Sequence, residues 1–187
     1  MKGNTRKMVF AALMAALVMA GSALRITIPV DIAGTTSFHL GNIMCALSGI
    51  LLGPAWGAGA AGVGSMLYDW TNPLYFAESW ITLLTKAAYG LAAGLVARRG
   101  GEKEISYHRA LMATTTGAVV YAVVYLLKNF FYNGLLLGGL TFGAAGAVVV
   151  SKLPATIFNA AVAIVCAPLL ARAIQTAMKH SGLRPAA

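Results

Sequence analysis

The stretch LGNIMCALSGILLGPAWGAGAAGVGSMLY, residues 40–68, runs for 29 positions without a charged side chain and is interrupted once, at Gly53-Pro54. A helix crossing the hydrocarbon core of a bilayer needs about 20 apolar residues. The stretch is long for one crossing and short for two full ones. Proline lacks an N–H and biases the residue before it away from helix. The reading is therefore two short helices, 40–52 and 55–68, joined by a tight turn. Working outward, the other low-charge stretches give spans at 8–24, 76–97 (interrupted by Lys86), 110–131 and 142–176 (containing Lys152 and Pro154). The expected fold class is an all-α integral membrane protein of six transmembrane helices, a single domain over 1–187. A long outer loop joins its first two helices. No linker is evident, and no clear internal repeat signals an inverted-repeat carrier.

Composition agrees with that class. The chain is 59% hydrophobic and 10% charged, against roughly 25% charged in soluble domains. Its mean hydropathy is +0.76. These values exclude a soluble enzyme, a disordered segment and a disulfide-stapled secreted domain. Cys45 and Cys166 both lie inside spans, so no disulfide is expected.

The net charge of +9 resolves into topology. With six spans, Lys2, Arg6, Lys7, Arg98, Arg99, Lys103, Arg109, Arg172, Lys179 and Arg184 all fall on one side, together with Glu102 and Glu104. That side then carries +8, and the positive-inside rule makes it cytoplasmic, with both termini there. No basic folded domain remains to bind nucleic acid. Residues 129–151 are also charge-free, but a seventh span there would put the basic C-terminus outside. Residues 132–140, with Gly134, Gly138 and Gly139, therefore read as an external loop. A cleavable signal peptide ending near Ala20-Gly21-Ser22-Ala23 is the alternative at the N-terminus. It leaves five spans and breaks the charge pattern.

Polar residues inside spans are costly in hydrocarbon and face a cavity or a partner. Glu78, Thr82 and Lys86 recur every four residues on one helix face. Glu78 and Lys86 stand about 12 Å apart along the axis, too far to pair directly. Tyr121, Tyr125, Lys128 and Tyr132 share a face of the fifth helix, with Asn129 beside them. Lys152, Thr156 and Asn159 share a face of the sixth. All three faces fall in the outer half, which points to a small-molecule site. Tyr68, Trp70, Tyr75, Phe76, Trp80, Phe130 and Phe131 crowd the same end. The competing explanations are an interfacial aromatic belt, snorkelling lysines and a structural bridge through Lys86. The segment from Arg25 to Val30 alternates β-branched residues and leads through Gly34-Thr35-Thr36-Ser37 to His39, an extended outer loop that either connects or covers a site.

The first helix carries small residues at helical spacing, Ala11/Ala15, Ala12/Ala16 and Ala16/Ala20. Such faces admit another backbone closely, either a partner's or a neighbouring helix of the same chain. Catalytic signals are absent. His39, His108 and His180 show no paired-ligand spacing, Ser65 has no histidine at its depth, and there is no GxxxxGK[ST] phosphate loop.

The chain resembles the substrate-binding S component of an energy-coupling factor (ECF) vitamin transporter, closest to the riboflavin-transporter-like subgroup. The resemblance rests on the AxxxA pairs of the first helix, the loop end Phe38-His39-Leu40-Gly41-Asn42, and Leu51-Leu52-Gly53-Pro54-Ala55-Trp56-Gly57-Ala58. It continues through Tyr68-Asp69, Thr85-Lys86-Ala87-Ala88-Tyr89-Gly90-Leu91-Ala92-Ala93-Gly94 and Lys152-Leu153-Pro154-Ala155-Thr156-Ile157-Phe158-Asn159. It implies a six-helix fold with an outer pocket built by the first loop and helices four to six. That brings His39, Asn42 and Asp69 into the candidate substrate-binding set with Glu78, Thr82, Lys86, Tyr121, Tyr125, Lys128, Asn129, Lys152 and Asn159. It implies docking of Ala11, Ala12, Ala15 and Ala16 on a transmembrane scaffold subunit, and two cytoplasmic ATPases as further partners. It implies substrate delivery by toppling in a prokaryotic plasma membrane, and no cofactor. Metal-carrying members coordinate through an N-terminal histidine where this chain has Lys2, so a metal cargo does not fit. Tyrosine and tryptophan at the outer end suit a planar heteroaromatic ring. The expected cargo is pyridoxine-like, hydroxymethylpyrimidine or riboflavin, with the smaller rings favoured. The alternative is a stand-alone small carrier or a structural membrane subunit.

Overall fold

A computed structural model describes residues 2–30, 34–99 and 104–181. Glu102, Lys103 and Arg184 of the charge pattern lie outside the described residues, as does the tip of the first loop. In chain order the elements are α1 (Lys2–Ala23), β1 (Arg25–Val30), β2 (Gly34–His39), α2 (Gly41–Leu52), α3 (Pro54–Trp70), α4 (Ser79–Arg98), α5 (Tyr107–Lys128) and α6 (Phe142–His180). Among the described residues, four helical stretches are long and apolar enough to cross a membrane: Asn4–Ala23, Phe76–Arg98, Tyr107–Leu137 and Phe142–His180.

The short helices follow from Gly53-Pro54. Gly53 has φ +80°, in the left-handed region that glycine tolerates best. Its N–H bonds Gly49 O, closing α2, and its carbonyl accepts from Gly57 N–H, opening α3. Pro54 occupies the first turn of α3, where no N–H is needed. Arg98 donates to the Leu51 carbonyl at 2.9 Å and so covers the end of α2. Every residue of α2 except Met44 is buried, as expected of a helix apolar on all sides.

Helices α2, α3 and α4 meet almost backbone to backbone. A Cβ on Gly57 would lie 2.5 Å from Gly49 Cα, and one on Gly90 would lie 2.6 Å from Gly57 O. A Cβ on Gly49 would strike Gly90 O, and one on Gly94 would lie 2.6 Å from Pro54 Cα. In lipid, close packing of this kind replaces the hydrophobic drive of a water-soluble core.

The first loop is a β-hairpin. β1 and β2 are antiparallel, with Arg25 opposite His39, Thr27 opposite Ser37 and Ile28 opposite Thr36. The alternation of β-branched residues read in the sequence is the pattern of this strand.

The fifth helix does not stop where an external loop was expected over 132–140. It continues as a π-helical segment, Asn129–Leu137. The Asn129 side chain donates to Tyr125 O at 2.8 Å, and Gly138 N–H bonds Asn133 O five residues back at 3.0 Å. The absent side chain of Gly134 lets the wide turn press on Ala145 of α6. Gly139, at φ +58°, then reverses the chain, and Thr141 caps α6 by accepting from Ala144 N–H. α6 runs 39 residues through Pro154 and Pro168. Internal prolines are tolerated in membrane helices where neighbours satisfy the freed carbonyls.

Candidate functional site

A cavity of about 340 Å³ lies between the β-hairpin and the ends of α3, α4, α5 and α6 that face it. That is at the small end of ligand pockets, roughly 300–1,000 Å³. Eleven of the twelve candidate substrate-binding residues line it: His39, Asp69, Glu78, Thr82, Lys86, Tyr121, Tyr125, Lys128, Asn129, Lys152 and Asn159. Asn42 does not. It is buried behind Lys86 and accepts a short hydrogen bond from its Nζ.

Lys86 is 5% exposed, although it sits in mid-helix among apolar neighbours. Besides Asn42, its ammonium group lies 3.9 Å from the centre of the Tyr121 ring. A desolvated cation over an aromatic face is held by the ring quadrupole. Tyr121 is the middle of a stacked ladder, with Tyr89 at 5.7 Å and Tyr125 at 5.6 Å between centroids. Tyr121 and Tyr125 form an aromatic wall of the cavity, with Tyr89 fully buried beside Tyr121.

Glu78 begins α4 as the last residue of the 3₁₀ turn Phe76–Glu78 and forms an ion pair with Lys128 of α5. Because Lys128 sits where α5 passes into the π-helical segment, the pair ties the two helices together at the cavity mouth. Lys152, on α6, is 4% exposed and lies near both partners. Burial of an ammonium group to this degree carries a large desolvation cost, which polar or charged neighbours must offset.

Asn159 serves the hairpin. Its Oδ1 accepts the His39 N–H at 2.9 Å, and its Nδ2 donates to the Ser37 carbonyl at 2.8 Å. Ser37 in turn shares hydrogen bonds with Thr27 of β1 at 3.2 Å and with the Tyr75 hydroxyl at 3.1 Å. The hairpin is therefore fastened to α6 and to the α3–α4 connection. The imidazole of His39 accepts the Gly41 N–H on Nδ1 at 3.2 Å, which leaves the proton on Nε2. Burial first, then the charges of Lys86 and Arg25, hold His39 well below the ordinary histidine range. It is neutral, with Nε2–H as a donor.

Thr156, read on the same face as Lys152 and Asn159, lines the cavity too, whereas sequence reasoning missed Arg25, Tyr75 and Asn133 as lining residues. Arg25 ends the α1 turn, its Nε donating to Ser22 O at 2.8 Å. Its guanidinium is flanked by the rings of Tyr68 at 4.1 Å and Tyr75 at 4.7 Å. Tyr132, by contrast, leaves the face shared by Tyr121, Tyr125 and Lys128 and meets Trp80 edge-on at 6.1 Å. Of the outer aromatics, Trp70, Phe76, Trp80 and Phe131 are exposed on the outer surface, where an interfacial belt would sit.

The small residues of α1 divide between two faces. Ala15 is buried against α3, where a Cβ on Gly64 would strike its carbonyl. Ala11 packs partly against the core. Ala12 and Ala16 are exposed, flanked by exposed Val9, Leu13 and Leu17.

Residues 2–176 match the family model described as the ECF-type riboflavin transporter, S component. No individual curated protein matches the chain.

Proposed function

The chain belongs to the ECF-type riboflavin transporter S-component family, and from that premise we propose that it is the substrate-binding subunit for uptake of a water-soluble vitamin or vitamin precursor with a planar heteroaromatic ring. Pyridoxine-like compounds, hydroxymethylpyrimidine and riboflavin are the candidate cargoes. The supporting observation is convergence: polar residues from the hairpin, α3, α4, α5 and α6 line one cavity with a tyrosine wall. Structural bridging alone would leave the polar groups paired off between helices without a chamber.

In this reading all six helices span the plasma membrane of a prokaryote, with both termini cytoplasmic. The cargo enters from the outside. Its ring lies against Tyr121 and Tyr125, its oxygens accept from Lys152, Lys86 and His39 Nε2–H, and an amine or ring N–H donates to Asp69. Glu78 and Lys128 hold the mouth. The hairpin, fastened by Asn159, covers the bound cargo and excludes water. The protein performs no bond chemistry. It delivers the cargo by toppling within a complex of one scaffold subunit and two ATPases, whose ATP hydrolysis resets the cycle. The outward Ala12/Ala16 face of α1 is the part that meets the scaffold.

The test is co-expression with scaffold and ATPase subunits, followed by affinity capture and mass spectrometry of the small molecules retained. Assembly with the partners and a retained vitamin are expected. Failure to assemble overturns the ECF assignment of role and favours a stand-alone carrier.

A further inference from the structure

We propose that the cargo carries a negatively charged group, a carboxylate or a phosphate, received in the cavity by Arg25, Lys86 and His39. This inference rests on the uptake reading, since it names the charge of that same cargo. Among the described residues, the cavity is lined by four basic side chains, Arg25, Lys86, Lys128 and Lys152, and two carboxylates, Asp69 and Glu78. Glu78 is taken up by Lys128. Asp69 lies within electrostatic reach of both Arg25 and Lys86. One carboxylate thus faces two cations, inside a protein surrounded by hydrocarbon. Lys86 is buried and Arg25 half-buried, and excess charge withdrawn from water is costly unless a counter-charge arrives.

The partners of the two cations favour an external counter-charge. Lys86 is held by an amide oxygen and a ring face, Asn42 and Tyr121. Arg25 is held by a backbone carbonyl and two ring faces, Ser22, Tyr68 and Tyr75. Neither makes an ion pair with a described carboxylate within 4.0 Å. Neutral acceptors and π faces position a cation without cancelling its charge, so its field remains available to a ligand. The Arg25 Nε is occupied, and its two terminal nitrogens form the planar fork that matches a carboxylate or phosphate. His39 Nε2–H adds a neutral donor in the same corner, where Lys86 and Arg25 both act on the ring. A neutral cargo would satisfy the hydrogen bonds and leave the charge excess standing.

The experiment measures binding to the purified full chain in lipid nanodiscs at constant ionic strength. The probes are pyridoxine against pyridoxic acid and pyridoxine phosphate, hydroxymethylpyrimidine against its phosphate, and riboflavin against its phosphate. Mass spectrometry of the ligand retained through purification accompanies the titrations. In the series that binds, the anion is expected to bind at least about tenfold more tightly than its neutral parent, and the retained molecule to be an anion. The pyridoxine series separates carboxylate from phosphate. Arg25→Gln is expected to remove that preference, and Arg25→Lys to retain part of it. If Arg25→Gln unfolds the hairpin, the wild-type comparison still decides. A retained neutral vitamin, or a neutral parent that binds as tightly as its anion, overturns this inference and leaves the uptake reading intact. No retained molecule and no probe bound overturns the uptake reading itself.

Discussion

The block formed by α2, α3 and α4 and the pair formed by α5 and α6 are built by opposite means. In the block, Gly49, Gly57, Gly90 and Gly94 face another helix's backbone with no room for a methyl group. In the pair, Gly143 and Gly146 face nothing within 4 Å, α5 ends in a π-helical segment, and α6 carries two internal prolines. The cavity lies on the seam. Its block side contributes Asp69 and Lys86 from helices that cannot shift without collision. Its other side contributes Lys128, Asn129, Lys152 and Asn159 from helices whose regular hydrogen bonding is interrupted nearby. One wall is fixed, and the other is shaped by irregularities of the kind that recur at functional sites.

The largest expected effect comes from filling the fixed wall. Gly49→Leu or Gly57→Leu forces two backbones apart, and overpacking costs about 1–3 kcal/mol or more. Thermal unfolding in detergent should drop sharply for both, whereas Gly143→Leu should stay within about 0.5 kcal/mol of wild type. Equal effects at Gly49 and Gly143 would abolish the contrast between the two regions.

Next is the other wall. Lys152→Ala and Asn159→Ala should each weaken cargo binding at least about tenfold, or about 1.4 kcal/mol. For Asn159 the loss should appear as faster dissociation, because the residue fastens the hairpin rather than closing the cavity floor. Unchanged affinity in both variants would remove α6 from the site.

A sharper test uses α1, which touches the block on one face only. Ala12→Trp should abolish assembly with the scaffold and spare cargo binding. Ala15→Trp should lower thermal stability through its contact with Gly64. Identical behaviour of the two variants would show that α1 has no distinct outer face.

The smallest effect is a pH dependence. His39 is held below its unfolded value of about 6.5, so the folded state resists protonation while the unfolded chain accepts it. Its contribution to stability is therefore complete above about pH 6.5 and declines as pH falls below that value toward the folded pKa. His39→Gln should flatten that decline in a melting-temperature series from neutral to acid pH. An unaltered slope would remove His39 from the account.

Regular segments of the site were legible in the sequence, and irregular ones were not. Glu78, Thr82 and Lys86, like Lys152 and Asn159, follow the helical repeat, and both sets line the cavity. The same repeat carried past Asn129 misassigned Tyr132, because the π-helical turn shifts the register and brings Asn133 to the cavity instead. Arg25 and Tyr75 sit in a strand and a turn, where no repeat distinguishes a lining residue from an interfacial one. The four alanines of α1 looked equivalent by spacing. Only the approach of α3 at Gly64 separates Ala15 from Ala12. The break at Gly53-Pro54 was readable because proline and left-handed glycine act locally.

The carboxamide of Asn159 has a consequence beyond anchoring. Donating to the carbonyl of one residue and accepting from the N–H two residues on is the pattern a neighbouring parallel strand would present across Phe38. A helix side chain thus stands in as a one-residue third strand on the outer edge of β2. An open strand edge is a template for pairing with another chain. Here its central donor and acceptor are already spoken for, so a helical membrane protein can expose a hairpin at its surface without offering crowded neighbours a seam along which to zip.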